Sequence, residues 1–370
     1  MSLMQSDDER LLAEAARGFL DENAPISHVR ALRDSGRTHD AKLWSDMIDM
    51  GWAGILVPAE QGGADMGHAA AGVLAQEMGK TLAATPFLST AVIAATALRQ
   101  IADERAKQAL RAIASGQRRY ALAIDEGAKH DPSKTQLAAI EDGNGFRLNG
   151  TKRFVVDGSG ADHILILART DNGLTLFDIP ADRAGITRNA RATIDSRDTT
   201  TLNFEDLKAT GDDVLGTVNA AMDVLRPALN AGQAALAAEM TGLATAAFTM
   251  TVSYLSERKQ FGVPIGAFQA LQHRAAHLWS ETELTQSTIL NAGRMMDQDS
   301  ENATLSVSLA KARACKTATL AVQEGVQMHG GIGMTDAFDM GFFMKRARVA
   351  CEWLGDYGYH AERVATLRGL

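Results

Sequence analysis

Prolines, cysteines and aromatic residues are all scarce in this sequence, and each scarcity removes a class of answer. Seven prolines in 370 residues rule out a polyproline or collagen-like chain. Two cysteines, Cys315 and Cys351, lack CxxC spacing and lie in helical-looking segments, so buried reduced thiols are expected rather than a disulfide framework or a metal site. Positive charge is also in deficit. With a net charge of −8 and a pI of about 5.6, the chain has no diffuse basic field to hold nucleic acid or an anionic membrane. Apolar runs such as Phe87 to Leu98 are bounded by proline or charge before the roughly 20 residues needed to cross a bilayer. The opening Met1-Ser2-Leu3 and the acidic Asp7-Asp8-Glu9 resemble no secretory or transit leader, and the expected location is the cytoplasm.

What remains is a long, helix-rich chain, 46% hydrophobic and 22% charged, whose length suggests two or three domains. From Glu9 to about Gln117 apolar residues recur at helical spacing, as in Leu11, Leu12, Ala15 and Phe19, with breaks at Pro25, Gly51 and Gly62-Gly63. Short strand-like runs follow: Tyr120–Ile124, Phe146–Leu148, Arg153–Val156, His163–Ala168, Leu174–Ile179 and Thr200–Phe204. Asn149-Gly150 between two of these runs predicts a tight hairpin turn. Helical periodicity returns over 219–257, 267–296 and 301–327 and in a last stretch beginning near Asp339, long enough for an antiparallel bundle. The predicted architecture is α+β. Residues 1–117 form a helical domain, 118–215 a β domain and 216–370 a four-helix bundle. The absence of alternating βαβ units argues against a nicotinamide-binding fold, and Gly330-Gly331-Ile332-Gly333 follows a helix rather than a strand. His273 and His277, with Glu281 one turn on, share a helix face, but the run His-Arg-Ala-Ala-His is not a metalloprotease motif and no metal is expected. Lys345, Arg346 and Arg348 read as a charged helix face toward solvent or a subunit contact.

Three motifs coincide with that domain order. The first is Gly51-Trp52 through Val57-Pro58, Glu60 and Gly62-Gly63. The second is Tyr254-Leu-Ser-Glu-Arg258-Lys-Gln260-Phe261-Gly262 with Pro264-Ile265 and Phe268-Gln269, and the third is Gln327-Met-His-Gly330-Gly331-Ile-Gly333. Together they resemble the acyl-CoA dehydrogenase family over essentially the whole chain. The resemblance implies FAD as cofactor, an acyl-CoA substrate and α,β-dehydrogenation. It also implies that Arg258, Gln260, Phe261, Gln327, Gly330 and Gly331 reach the FAD of a neighbouring subunit. The chemistry suits them: a guanidinium is a planar, permanently charged fork for a diphosphate, and glycines let backbone approach it closely.

The pattern fails where the family's own reaction is run. A glutamate takes the α-proton there, but the matching position holds Leu354, and the alternative position on the preceding helix falls in Asn230-Ala-Gly232-Gln233. The loop matching the family's hydroxyl-bearing flavin loop reads Ile124-Asp125-Glu126-Gly127-Ala128-Lys129-His130-Asp131. Phe154 stands for the usual tryptophan and Val156 for a hydrogen-bonding threonine. The losses fall on the chain's own flavin site and spare the residues for a neighbour's. This resembles the base-lacking subunit of heteromeric bacterial acyl-CoA dehydrogenases of sterol side-chain degradation. A heterotetramer with a related catalytic subunit is the leading expectation. The alternatives are a self-sufficient homodimer or homotetramer with a relocated base, for which Asp356, Glu352 and Asp125 are the nearest carboxylates, and a non-catalytic scaffold. An electron-transfer flavoprotein is the acceptor the family suggests.

Overall fold

The computed structural model describes residues 4–298 and 301–370. In chain order, helices α1 (Asp7–Asn23), α2 (Ile26–Asp34), α3 (Ala41–Asp49), α4 (Gly67–Thr81), α5 (Ala95–Arg99) and α6 (Glu104–Ala114) precede the strands. The strands are β1 (Tyr120–Ala123), β2 (Ala138–Asp142), β3 (Gly145–Val156), β4 (His163–Thr170), β5 (Gly173–Pro180), β6 (Ile186–Ala192) and β7 (Asp198–Thr210). Then come α7 (Ala221–Glu257), the two-residue strands β8 (Lys259–Gln260) and β9 (Val263–Pro264), α8 (Gln269–Asp297), α9 (Ala303–His329), α10 (Met340–Glu352) and α11 (Tyr357–Leu367). Contacts gather these into two compact units: Met1–Ser35 with His68–Ala83 and Gln233–Leu370, and Gly36–Gly67 with Ala84–Gly232.

The first unit is helical. Ser6 caps α1 in a reciprocal capping box with Glu9, satisfying two backbone donors that the helix end would otherwise leave bare. Helices α8, α10 and α11 each pack on α9, and its small residues are enclosed: Ala310, Ala314, Ala318 and Ala321 are fully buried. Small side chains permit close helix approach. At Gly242 a Cβ would lie 1.9 Å from the Gln76 carbonyl oxygen, so no larger residue fits between α7 and α4 there. Helix α7 is long and apolar enough to cross a membrane by length and composition, which the interrupted apolar runs did not anticipate. Two-thirds of its most apolar window is buried, as in the core helix of a bundle.

The second unit holds a seven-stranded sheet in the order β1-β4-β2-β3-β7-β6, with β5 on the other edge of β4. Pairing is antiparallel except for β1 with β4 and β2 with β4. Alternation places Phe146, Leu148, Ile164, Ile166, Phe177, Ile179, Leu202 and Phe204 in one apolar core. Beside it Phe87–Ala94 forms a wholly buried π-helical stretch, an uncommon winding that α5 continues as ordinary helix.

Two expectations need correction here. Asn149-Gly150 is not a hairpin turn: Phe146–Leu148 and Arg153–Val156 belong to one strand, β3. The turn is Gly143-Asn144, which joins β2 to β3 with Asp142 opposite Gly145. Gly150 instead sits at a β-bulge, where the register against β7 shifts between Leu148 and Gly150, at φ 143° and with Leu137 backbone close behind it. A glycine that tolerates unusual φ serves a bulge as well as a turn, and only β2, which the sequence pattern did not reveal, distinguishes them. Likewise the last helical stretch is two helices, broken at Trp353-Leu354-Gly355-Asp356.

Candidate functional site

The six residues expected to serve a cofactor lie at one end of the helical unit. Tyr254, one turn before Arg258, stacks on His329 with ring centroids 4.5 Å apart, and His329 immediately precedes Gly330. Phe338 lies against the same imidazole at 4.5 Å and meets Tyr254 edge-on at 6.3 Å, so the three rings form one cluster. This aromatic stack joins the end of α7 to the end of α9 and so brings the two motifs together. His329 is buried, its Nδ1 2.6 Å from the Gly325 carbonyl, and burial holds its pKa below the ordinary histidine value; a neutral imidazole donates from Nδ1 there.

Arg258, Gln260, Phe261, Gln327, Gly330 and Gly331 are all exposed. The Arg258 backbone closes the end of α7 and accepts from Ile265, but its guanidinium has no hydrogen-bond or ion-pair partner among the described residues. Phe261 occupies the tip of the β8–β9 turn at φ 52°, followed by Gly262 at 82°, and is 92% exposed with only an edge contact to Phe268. A bulky aromatic in left-handed backbone costs of the order of 1 kcal/mol, and its face is offered outward rather than to the chain's own core. At Gly330 and Gly331 an added Cβ would meet nothing within 4 Å, so the backbone there is open to approach. An unpaired guanidinium beside open glycine backbone and an outward aromatic is a set that fits a diphosphate-bearing dinucleotide.

The position expected to hold a base is closed. Leu354 is 2% exposed, at φ 58°, in the turn between α10 and α11. Its carbonyl accepts from Gln233 Nε2 at 3.0 Å and from His360 Nε2 at 3.0 Å, while Arg363 donates to Gln233 Oε1 at 3.3 Å. Lys311, fully buried on α9, donates to the carbonyls of Gly355 at 3.0 Å and Ala350 at 3.1 Å. Gln233, in the stretch expected to hold the alternative base position, is thus an amide that locks this turn. None of Gln233, His360, Arg363 and Lys311 was singled out for this role from the sequence. Each is a polar residue within a helical run, and only the fold brings them to one turn.

The three fallback carboxylates have local duties. Asp356 caps α11, accepting from Tyr359 N–H at 2.9 Å; Glu352 pairs with Arg348 at 3.1 Å; Asp125 accepts from His130 Nδ1 at 3.0 Å. In the same loop Glu126 accepts from Gln136 N–H and Leu137 N–H at 2.9 Å and from Lys152 Nζ at 2.7 Å. Burial raises the Glu126 pKa, but the bonds from Lys152 and Leu137 outweigh it and hold the carboxyl below its ordinary value. Lys152 is itself fully buried, and burial lowers its pKa against the opposing pull of Glu126. The loop 124–135 is therefore tied to β3 by the Glu126–Lys152 ion pair and by hydrogen bonds from Lys152 to Ile124 and Thr135. Phe154, at a second β3 register shift, is 57% exposed at φ 54°.

Two further expectations can be placed. Arg346 is not on a solvent face: it is 4% exposed and forms a two-pronged ion pair with buried Glu239, at 2.7 and 3.0 Å. The helical period left this open, because Arg348 two positions on is exposed and Lys345 beside it is half-buried. Among the described residues no cluster of His, Cys, Asp or Glu could hold a metal, and Glu281, on the helix of His273 and His277, pairs with Arg313.

Three family models match the chain in order: "Acyl-CoA dehydrogenase, N-terminal domain" over residues 6–117, the middle domain over 123–207 and the C-terminal domain over 221–366. The sequence is 26% identical to the caffeyl-CoA reductase-Etf complex subunit CarC of Acetobacterium woodii over 93% of each chain. Its fold is similar to the crystal structure of the ChsE4-ChsE5 complex from Mycobacterium tuberculosis, with TM-score 0.92, 24% identity, and 100% and 99% of the two chains covered. It is also similar to a variant of the Tcur3481-Tcur3483 steroid ACAD, with TM-score 0.89, 28% identity and 98% of each chain covered.

Proposed function

Because the chain belongs to the acyl-CoA dehydrogenase family of FAD-dependent oxidoreductases acting on CH-CH bonds, we propose that it is the base-lacking subunit of a heteromeric member, completing the FAD site of a related catalytic subunit. One observation carries this reading: the two halves of the family's divided site have opposite fates in this chain. At the base position a buried leucine stands in a turn locked by Gln233, His360 and Lys311, and the nearest carboxylates cap or pair locally. At the lending end Arg258 is without a partner among the described residues, Phe261 points outward and Gly330-Gly331 is open.

Bound FAD supplies the hydride acceptor of the family reaction. This chain's part is binding: Arg258 holds diphosphate charge, Gly330 and Gly331 admit it closely, Gln260 and Gln327 offer amide hydrogen bonds, and Phe261 covers an apolar face. The α-proton goes to a carboxylate of the other subunit, since Leu354 takes none. The steroid ACAD at 28% identity is named as a pairing of two components, Tcur3481 and Tcur3483, which supports a related partner and a bulky acyl group. The Etf complex of the caffeyl-CoA reductase relative supports an electron-transfer flavoprotein as acceptor.

The test is Arg258→Ala in the complex co-purified with its partner. Removing a charge-assisted diphosphate contact of roughly 2 kcal/mol lowers FAD affinity about 30-fold, with Arg258→Lys intermediate. Unchanged FAD affinity and turnover in Arg258→Ala would instead favour the scaffold reading.

A further inference from the structure

The two cysteines, 36 positions apart in sequence, meet across α9 and α10. Cys315 Sγ lies 3.8 Å from the Cys351 carbonyl oxygen and Cys351 Sγ lies 3.6 Å from the Cys315 carbonyl oxygen, so each sulfur rests against the other's backbone. Both are free and buried, Cys351 at 9% exposure and Cys315 at 3%. Lys311, fully buried, brings its ammonium 3.4 Å from Cys315 Sγ while three carbonyl oxygens, of Ala350, Cys351 and Gly355, accept its protons. Thr319 Oγ1 stands 3.7 Å from Cys351 Sγ. The carbonyls that fix Lys311 in the α10–α11 turn also hold its ammonium beside Cys315, so one of the two thiols has a permanent neighbouring cation.

The electrostatics follow from that arrangement. A hydrogen bond from Cys351 and the nearby Lys311 charge hold the Cys315 thiol below its ordinary value, against the opposing effect of burial. Cys351 is pushed up by the same bond, by burial and by the charge on its neighbour. Of the two sulfurs it is Cys315 that lies 3.4 Å from the Lys311 ammonium, so the geometry favours the thiolate on Cys315 and leaves the proton on Cys351, the division of labour that thiol oxidation requires.

We propose that Cys315 and Cys351 form a redox site at which hydrogen peroxide closes a reversible intrachain disulfide. The Cys315 thiolate attacks one peroxide oxygen, breaking the O–O bond, forming a sulfenic acid and releasing hydroxide. The Cys351 thiol then attacks the sulfenic sulfur, the S–O bond breaks, and water leaves with the thiol proton as the S–S bond forms. Two electrons pass from the two sulfurs to the peroxide, whose oxygens leave as hydroxide and water. A dithiol reverses the reaction by exchange, becoming oxidised itself. Cys351 is next to last in α10, three residues before Leu354, so closing the bond pulls on the turn that Lys311, Gln233 and His360 hold.

The experiment exposes the full-length protein to hydrogen peroxide while folded, alkylates it under denaturing conditions and maps the two cysteines by mass spectrometry. Expected is loss of both alkylatable thiols into a single intrachain crosslinked peptide pair, restored by dithiothreitol. In Cys351→Ala, Cys315 accumulates sulfenic acid that dimedone traps, and in Cys315→Ala, Cys351 stays reduced at the same dose. Both thiols still fully alkylatable in the wild-type protein would overturn the proposal, as would a disulfide found only between chains or Cys351 oxidising equally fast without Cys315. The wild-type map decides even if a variant fails to fold.

Discussion

At the scale of single residues, the energetics rest on a few buried charges, one paired with a buried carboxylate and one with a partly buried carboxylate. Arg346 and Glu239 lock α10 to α7 inside the helical unit, and cutting one partner strands the other in a low-dielectric interior. Arg346→Leu should therefore destabilise the protein by about 4 kcal/mol, whereas the double change with Glu239→Leu should recover most of that loss; urea titration of the three proteins measures the difference. Lys152 in the β unit behaves alike. Lys152→Met leaves Glu126 with only its two backbone donors and should cost about 3 kcal/mol by the same measurement. The sign of the pH effect follows from the depressed Glu126 carboxyl. Its contribution is complete above the ordinary glutamate value of about 4.3 and disappears as pH falls through the lower folded-state value. Glu126→Gln should flatten the acid limb of the stability curve in that window, and an unchanged limb would assign acid sensitivity to other carboxyls.

At the scale of elements, the turn between α10 and α11 decides what the chain can do. Gln233→Ala removes one of the two donors to the Leu354 carbonyl and the acceptor of Arg363, and should lower the unfolding midpoint by an amount equivalent to about 1–2 kcal/mol. Leu354→Glu by itself should not give the isolated chain turnover, because residues 124–131 and Val156, which match the family's flavin-binding positions, carry no hydroxyl. An acyl-CoA oxidation assay checks this. Much of this level was legible beforehand: the α7–α9 helices follow apolar periodicity within a few residues, and the vacancy at Leu354 is a matter of residue chemistry. What periodicity could not supply was pairing. Asn149-Gly150 and Gly143-Asn144 are both plausible turns until β2 is found, and β2 and β6 are short and largely exposed, with little hydrophobic alternation to announce them. Arg346 looked like its neighbours because its burial depends on Glu239, 107 positions away.

At the scale of the whole molecule, the proposed role is half of a divided site. The chain has the fold and three matched domains of the acyl-CoA dehydrogenase family, and on the proposed reading its lending end serves a neighbour's cofactor while its own base position does not serve catalysis. The motifs for the lending end were readable as strings, since Arg258, Phe261 and Gly330-Gly331 lie in contiguous runs. The closure of the base position was readable only as a missing acid, and its locking by Gln233, His360 and Lys311 needed the folded arrangement. Visible absorbance of the purified chain, with its FAD-to-protein ratio, measured alone and again with a candidate related subunit, tests the divided site most directly. Expected is a colourless, inactive chain that gains flavin and acyl-CoA dehydrogenation only with the partner. One FAD bound per chain, bleached by an acyl-CoA in the absence of any partner, would contradict it.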